Sequence, residues 1–162
     1  MEQNKELRQA WDFVEHTGTS IFLTGKAGTG KTTFLRAVRE HSSKRMVVVA
    51  PTGVAAINAG GVTIHSFFQL PFSPFVPDAH IKSRFDFSKE KRKIIRTLDL
   101  LVIDEISMVR CDVLDAIDSV LRRFRDHAKP FGGVQLFLIG DLQQLTPVVT
   151  HEEEHILSQY YD

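Results

Sequence analysis

Apolar residues concentrate in four short runs, at residues 21–23, 46–50, 98–103 and 134–139. The runs are nearly continuous rather than alternating with polar residues, and Asp99 interrupts the third. Strands with apolar side chains on both faces are typical of a parallel sheet that is covered on both sides. The pattern therefore predicts four buried strands in a parallel sheet.

Segments with helical spacing lie before and between these runs. Residues 4–16 place Leu7, Ala10, Trp11 and Val14 on one face, residues 31–41 follow the first strand, and residues 113–124 repeat apolar positions at the same spacing. Strands that alternate with helices predict an α/β domain with a mainly parallel sheet and helices on both faces. In such sheets the functional side chains gather at the carboxyl ends of the strands.

Composition narrows the class of protein without naming a function. The 162 residues suffice for one domain, and 43% hydrophobic with 25% charged residues is ordinary for a globular protein. The formal net charge is zero, so any nucleic-acid site must be a local patch. A single cysteine, Cys111, favours a reducing compartment, and no segment resembles a membrane span or a signal peptide. We therefore expect a cytoplasmic protein with no membrane association.

The first strand leads directly into a phosphate-binding loop. Residues 25–32 read GKAGTGKT, which fits G-x-x-x-x-G-K-[ST], and the helix that starts at about residue 31 supplies the required strand–loop–helix setting. The pattern predicts that Lys31 reaches the β- and γ-phosphates of a nucleoside triphosphate and that the Thr32 hydroxyl binds Mg²⁺. The expected nucleotide-binding residues are Gly25, Lys26, Ala27, Gly28, Thr29, Gly30, Lys31, Thr32 and Thr33.

Two other strand ends carry residues suited to phosphoryl chemistry. Asp104 and Glu105 follow the third run, where one carboxylate can hold Mg²⁺ and the other can take a proton from the attacking water. Gln143 and Gln144 follow the fourth run, and a glutamine amide there can contact both a γ-phosphate and that water. The sequence thus predicts that three strand ends converge on one nucleotide.

The segment after the second run favours contact with nucleic acid. Hydroxyl groups and backbone amides in the sequence PTGVAAIN at residues 51–58 can hold phosphates, and the following stretch is rich in aromatic residues that stack on bases. These are Phe67, Phe68, Phe72, Phe75, Phe85 and Phe87. Packing in the core is the alternative interpretation for each ring. Basic residues cluster at 89–96 and 122–125. The first cluster is equally open to a nucleic-acid role or to a solvated helix face.

A zinc-type pattern near the end of the chain has a simpler interpretation. Residues 151–155 read HEEEH, which matches H-E-x-x-H, but the sequence offers no evident third ligand and the segment lies outside the apolar pattern. We interpret it as a solvated acidic helix or turn.

The ordered set GKAGTGKT, APTGVAAINAGGVTIHSFF, LLVIDEISMV and GDLQQLTPV resembles the superfamily I DNA helicases, and within them the PIF-type (petite integration frequency) family. RecD-like helicases are the next nearest resemblance. The resemblance runs from about Asn4 to Pro147 and implies a RecA-like P-loop NTPase fold, with ATP and Mg²⁺ as cofactors. It also implies roles in DNA repair and telomere maintenance.

The resemblance further implies roles for individual residues. Asp104 and Thr32 hold Mg²⁺, while Glu105, Gln144 and Lys31 are catalytic. Thr52, Gly53, His65, Ser66 and Phe67 fall in the stretch that grips single-stranded DNA. Residues 70–88 match by position a small wedge-like insertion that meets the duplex junction. Gln3 and Gln9 are both candidates for an adenine-reading glutamine.

Helicases of this kind use two RecA-like domains and unwind 5′→3′, so the resemblance implies that residues 1–162 are the first motor domain of a longer protein. The second domain is then a partner within the same parent chain. Two other classes stay open on the sequence: a P-loop ATPase of another kind, such as a small-molecule kinase or a remodelling ATPase, and a nucleotide-gated binding module without hydrolysis.

Overall fold

Five parallel strands form one sheet in the order β1-β5-β4-β2-β3 in a computed structural model that describes residues 4–26, 30–76, 87–141 and 147–161. The strands are β1 (Ile21–Thr24), β2 (Met46–Ala50), β3 (Val62–Thr63), β4 (Leu100–Ile103) and β5 (Gln135–Gly140). All four neighbouring pairs are parallel. The carboxyl ends of the strands therefore lie along a single edge of the sheet.

Helices cover both faces of this sheet. The helices in the described ranges are α1 (Lys5–His16), α2 (Lys31–His41), α3 (Gly53–Ala59), α4 (Ile64–Phe68), α5 (Lys89–Thr97), α6 (Cys111–Phe124) and α7 (His151–Leu157), with short 3₁₀ turns at Ile106–Met108 and Pro130–Gly133. Because side chains alternate along a strand, β4 contributes to two cores. Leu101 and Ile103 pack with α4, α5 and α6, whereas Leu100 and Val102 pack with α1 and α2.

The predicted elements are present, with small shifts at their ends. The third strand begins at Leu100 rather than at residue 98, because buried Leu98 ends α5 and the Asp99 carboxylate accepts the Arg45 amide at 2.9 Å. The fourth strand runs one residue later than predicted. Residues 77–86, within the wedge-like insertion expected at 70–88, lie outside the described residues. No helix in the described ranges has the length and apolar content to cross a bilayer.

A buried amide fixes the edge of the sheet opposite the strand ends. Gln135, which is 3% exposed, donates from Nε2 to the carbonyl oxygens of Phe13 at 2.9 Å and Thr19 at 2.8 Å. Its Oε1 accepts the Lys44 ammonium at 2.5 Å. This one side chain therefore links α1, the turn before β1, the turn before β2 and the start of β5.

Gly61 is needed where the chain passes close to β2. A Cβ built on Gly61 would lie 2.7 Å from the Val48 carbonyl carbon and closer still to its oxygen, and backbone cannot move aside as a side chain can. We expect Gly61→Ala to lower the free energy of unfolding by roughly 1–3 kcal/mol in chemical denaturation, the usual cost of overpacking. Gly18→Ala is the matched control, since nothing lies within 4 Å of its Cβ position. Equal stability of the two variants would contradict the close approach.

Glu15 makes folding stability sensitive to acid. Its carboxylate accepts the hydroxyl groups of Ser42 at 2.5 Å and Ser43 at 2.6 Å, and these bonds with the Ser43 amide lower its pKa from 4.5 to about 2. Because the pKa of Glu15 is lowered in the folded state, its ionised carboxylate stabilises the fold above pH 4.5. This contribution is lost as the pH falls towards 2 and the carboxylate becomes protonated. We expect Glu15→Gln to be less stable at neutral pH and to lose less stability on acidification. Exposed Glu40→Gln is the control; an unchanged pH dependence in Glu15→Gln would refute the role.

Candidate functional site

A cavity of about 430 Å³ opens at the carboxyl edge of the sheet. The start of α2, the start of α3, the turn after β4 and the end of β5 all contribute to its wall. The polar residues lining it are Lys31, Thr32, Thr52, Asn58, Asp104, Glu105 and Asp141. The structure thus brings together the first, third and fourth predicted strand ends, and adds the second through Thr52.

The phosphate-binding loop joins β1 to α2 as its sequence predicts. Gly30 precedes the helix with a φ of +89°, a left-handed conformation that glycine adopts without strain. Lys31 is the first residue of α2, and its ammonium donates to the carbonyl oxygen of Gly25. Buried Phe34 and Leu35 anchor the helix on the sheet, so Lys31 and Thr32 are held at the cavity. Ala27, Gly28 and Thr29 lie outside the described residues.

Asp104 and Glu105 are placed in the cavity by the abrupt end of β4. The Asp104 carboxylate accepts the Glu105 amide at 2.9 Å, and Glu105 has a φ of +52°. Such a conformation is costly for a residue with a side chain and often marks a functional site. Burial raises the pKa of Asp104, and burial with the neighbouring Asp104 charge raises the pKa of Glu105. The site therefore holds two carboxylates that water solvates poorly.

These groups suit Mg²⁺ bound together with a nucleotide. Mg²⁺ prefers oxygen ligands and usually keeps several waters beside one or two carboxylates and substrate phosphates. Asp104 and the Thr32 hydroxyl supply that chemistry in one cavity, and a cation there would offset the cost of the buried charges. Within the described ranges no group of three His, Cys, Asp or Glu side chains could hold a metal by itself. The arrangement therefore fits a cation shared with phosphate rather than an all-protein metal site.

Asp141 is a site residue that the sequence prediction missed as an individual candidate. It follows β5, is 8% exposed, and its charge contributes to the raised pKa of Glu105. Its position directly after a buried strand was the feature of the sequence that could have identified it as a site residue. The preceding Gly140 lets β5 approach the turn after β4, since a Cβ there would lie 2.8 Å from Ile106 Cγ2. Gln144, the predicted γ-phosphate contact, lies outside the described residues.

The residues expected to contact nucleic acid divide into two groups. Thr52 caps α3 by accepting the Ala55 amide at 3.2 Å and also lines the cavity, with Gly53 next to it as the first residue of α3. His65 and Ser66 lie on α4, where Ser66 is exposed and His65 is half-buried against Phe72. Burial and the nearby Arg110 charge lower the pKa of His65.

The Phe67 side chain packs in the core and not on the surface. It is 6% exposed, packs edge-on against Phe68 with ring centroids 4.9 Å apart, and belongs to the core. The Lys91 ammonium lies 4.5 Å from the ring centroid and donates to the Phe67 carbonyl oxygen at 3.0 Å. The ring therefore offers little accessible surface to a base in this structure, and contact of Phe67 with nucleic acid stays a prediction. Phe68 and Phe87 are core residues as well.

Several of the basic residues have structural partners. Arg125 donates to the carbonyl oxygens of Ile95 and Arg96 at the end of α5, and Arg122 pairs with Asp118 at 2.9 Å. Lys89, Arg92, Lys93 and Arg96 are exposed on α5. The exposed face of α5, and Arg123, which is exposed on α6, therefore stay open for a nucleic-acid role.

The remaining candidates that the structure describes lie on the surface. The HEEEH segment forms α7, an acidic helix with a capping box between Thr150 and Glu153, and His151 is fully exposed. This agrees with the solvated-helix interpretation and gives no support to zinc. Gln9 is exposed on α1, and Gln3 lies outside the described residues.

Comparison with known proteins gives consistent matches. The family model for PIF1-like helicase matches residues 1–159. The chain is 40% identical over 142 residues to the ATP-dependent DNA helicase PIF1 of Emericella nidulans, covering 83% of this chain and 19% of that protein. Crystal structures of Bacteroides sp. Pif1 in complex with ADP-AlF4 and of Bacteroides Pif1 bound to ssDNA are each 48% identical, with TM-scores of 0.92 and 0.91.

Both structural matches cover 100% of this chain and 37% of the Bacteroides chain. The chain thus spans about a fifth of the Emericella nidulans protein and just over a third of the crystallised one. The match of the family model to almost every residue agrees with the P-loop, the acidic strand end and the five-stranded parallel sheet. The chain belongs to the PIF1-like helicase family.

Proposed function

We propose that this chain is the ATP-binding and ATP-hydrolysing motor domain of a DNA helicase. The observation that carries the proposal is the single cavity that joins Lys31 and Thr32 of the phosphate-binding loop to Asp104 and Glu105 at the end of β4. A phosphate-binding lysine, a hydroxyl and carboxylate for Mg²⁺, and a second carboxylate for the attacking water are the groups that phosphoryl transfer to water needs.

Each group has a separate task. Lys31 and the amides of residues 25–33 would bind the phosphates. Thr32 with Asp104 would hold Mg²⁺, whose chemistry would be to offset negative charge on the phosphoryl group. Glu105 takes the proton of the attacking water. Burial raises the pKa of Glu105, which makes its carboxylate a stronger base than an exposed one. Gln144 is proposed to contact the γ-phosphate.

The proposed grip on single-stranded DNA involves Thr52, Gly53, His65 and Ser66. Thr52 supports a link between the two activities, because it lines the nucleotide cavity and also begins α3. A shift of Thr52 when the nucleotide changes would move the first turn of that helix. Bacteroides Pif1, part of which is similar to the whole of this chain, has been crystallised with ADP-AlF4 and with ssDNA.

We propose further that this chain is the first motor domain of a longer protein. Its second RecA-like domain would complete the ATP site, and ATP-driven closure of the two domains would move the protein 5′→3′ along the strand. Residues 70–88 would meet the duplex junction. The single cysteine supports a cytoplasmic location.

ATP turnover of the full-length protein, measured with and without single-stranded DNA, tests the proposal. We expect strong stimulation by the DNA. Glu105→Gln should lower the stimulated turnover about 10²–10⁴-fold, the usual contribution of a general base, while ATP binding persists. The control is Glu152→Gln, an exposed glutamate of α7. Turnover indifferent to DNA, or full activity in Glu105→Gln, would contradict the proposal.

A further inference from the structure

Phe72 is the most exposed large apolar side chain in the described ranges, with 85% of its surface accessible. Among the neighbouring aromatic residues, Phe67, Phe68 and Phe87 are buried and Phe75 is half-buried. An exposed phenylalanine forgoes the favourable free energy of burying its apolar surface. A ring in this position therefore contributes little to folding.

The Phe72 ring is nevertheless held in a defined orientation. It stacks on the His65 imidazole with ring centroids 5.2 Å apart and an angle of 13° between the planes. The imidazole is half-buried on α4, next to exposed Ser66. One face of Phe72 thus lies against a half-buried ring, while most of its surface, including the opposite face, is accessible.

The chain around Phe72 is fixed as well. Pro71 and Pro74 restrict the backbone on both sides. The Phe75 amide donates to the Asp112 carboxylate at 3.1 Å, and the Tyr161 hydroxyl donates to the Phe75 carbonyl oxygen at 3.5 Å. The segment that carries Phe72 is therefore anchored three residues later, through the hydrogen bond from the Phe75 amide to Asp112.

Asp112 is a firm anchor because its charge is buried and paired. The residue is 1% exposed, and Arg110 donates to both of its carboxylate oxygens, at 2.9 and 3.1 Å. Arg110 also pairs with Glu153 of α7 at 2.9 Å. Leaving a buried charge without its partner is costly. The two hydrogen bonds from Arg110 therefore hold the Asp112 carboxylate in one position.

We propose that Phe72, stacked on His65 and fixed by the Asp112 anchor, is a platform on which an unpaired nucleobase stacks. The proposal rests on the helicase function above and names the class of ligand, a base of the single strand, for one part of its DNA surface. A flat apolar ring accepts the π-face of any base, so the contact is tolerant of sequence. Because the ring is oriented in advance, little freedom is lost on binding.

The test compares single-stranded DNA binding by full-length wild-type, Phe72→Ala and Phe72→Tyr proteins. Phe72→Ala should bind roughly 5- to 100-fold more weakly, the range for losing one base–aromatic stack, and Phe72→Tyr should bind nearly as the wild type does. The salt dependence of binding should not change, since no phosphate contact is lost. Val148→Ala is the matched control, because Val148 is also apolar and 78% exposed.

Oligonucleotides with a single abasic site, moved along the strand, identify the stack directly. One abasic position should weaken binding to the wild type and have no additional effect on Phe72→Ala. Wild-type affinity in Phe72→Ala, or an equal abasic effect in both proteins, would overturn the proposal. So would a lower unfolding temperature of Phe72→Ala with unchanged affinity, which would assign the ring to packing. If the wild type binds no single-stranded DNA, the helicase function fails with it.

Discussion

Parallel strand pairing is the constraint on which the site depends. Because β1, β5, β4 and β2 all run in the same direction, their carboxyl ends deliver the phosphate-binding loop, Asp141, the acidic pair and Thr52 to one cavity. Residues more than seventy positions apart in sequence, such as Lys31 and Asp104, thereby become neighbours. The hydrogen bonds of buried Gln135 hold the opposite edge of the sheet together. One edge of the sheet therefore carries a structural network and the other carries the candidate site.

The electrostatic cost of the site follows from that convergence. Asp104, Glu105 and Asp141 share one partly buried region, and burial raises the pKa of the first two. Lys31 offsets part of this cost, and a divalent cation would offset more. The left-handed backbone of Glu105 adds conformational strain at the same point. Destabilising features concentrated beside a phosphate-binding loop are expected of a site organised for a charged ligand.

Local patterns and the rule for parallel strands predicted most of this architecture and the meeting of the strand ends. Individual side-chain contacts between other distant segments could not be predicted. Continuous apolar runs gave the strands, and a glycine-rich loop before a helix identified Lys31 and Thr32. The two-residue β3 is too short for any periodic signal, and its pairing with β2 depends on the close approach at Gly61. Composition could not separate Phe67 from Phe72: both are phenylalanines in one aromatic stretch, and only tertiary packing buries the first and exposes the second. The contacts of Asp112 with Phe75 and of Arg110 with Glu153 join segments about forty residues apart, a distance at which sequence patterns carry no information about partners.

We propose that the cavity at the strand ends binds a nucleoside triphosphate together with Mg²⁺. Calorimetric titration of ATP into the 162-residue chain, with and without Mg²⁺, measures this binding. We expect binding that strengthens with Mg²⁺, is abolished in Lys31→Ala and loses its Mg²⁺ dependence in Asp104→Asn. Equal ATP affinity in wild type and Lys31→Ala would contradict it.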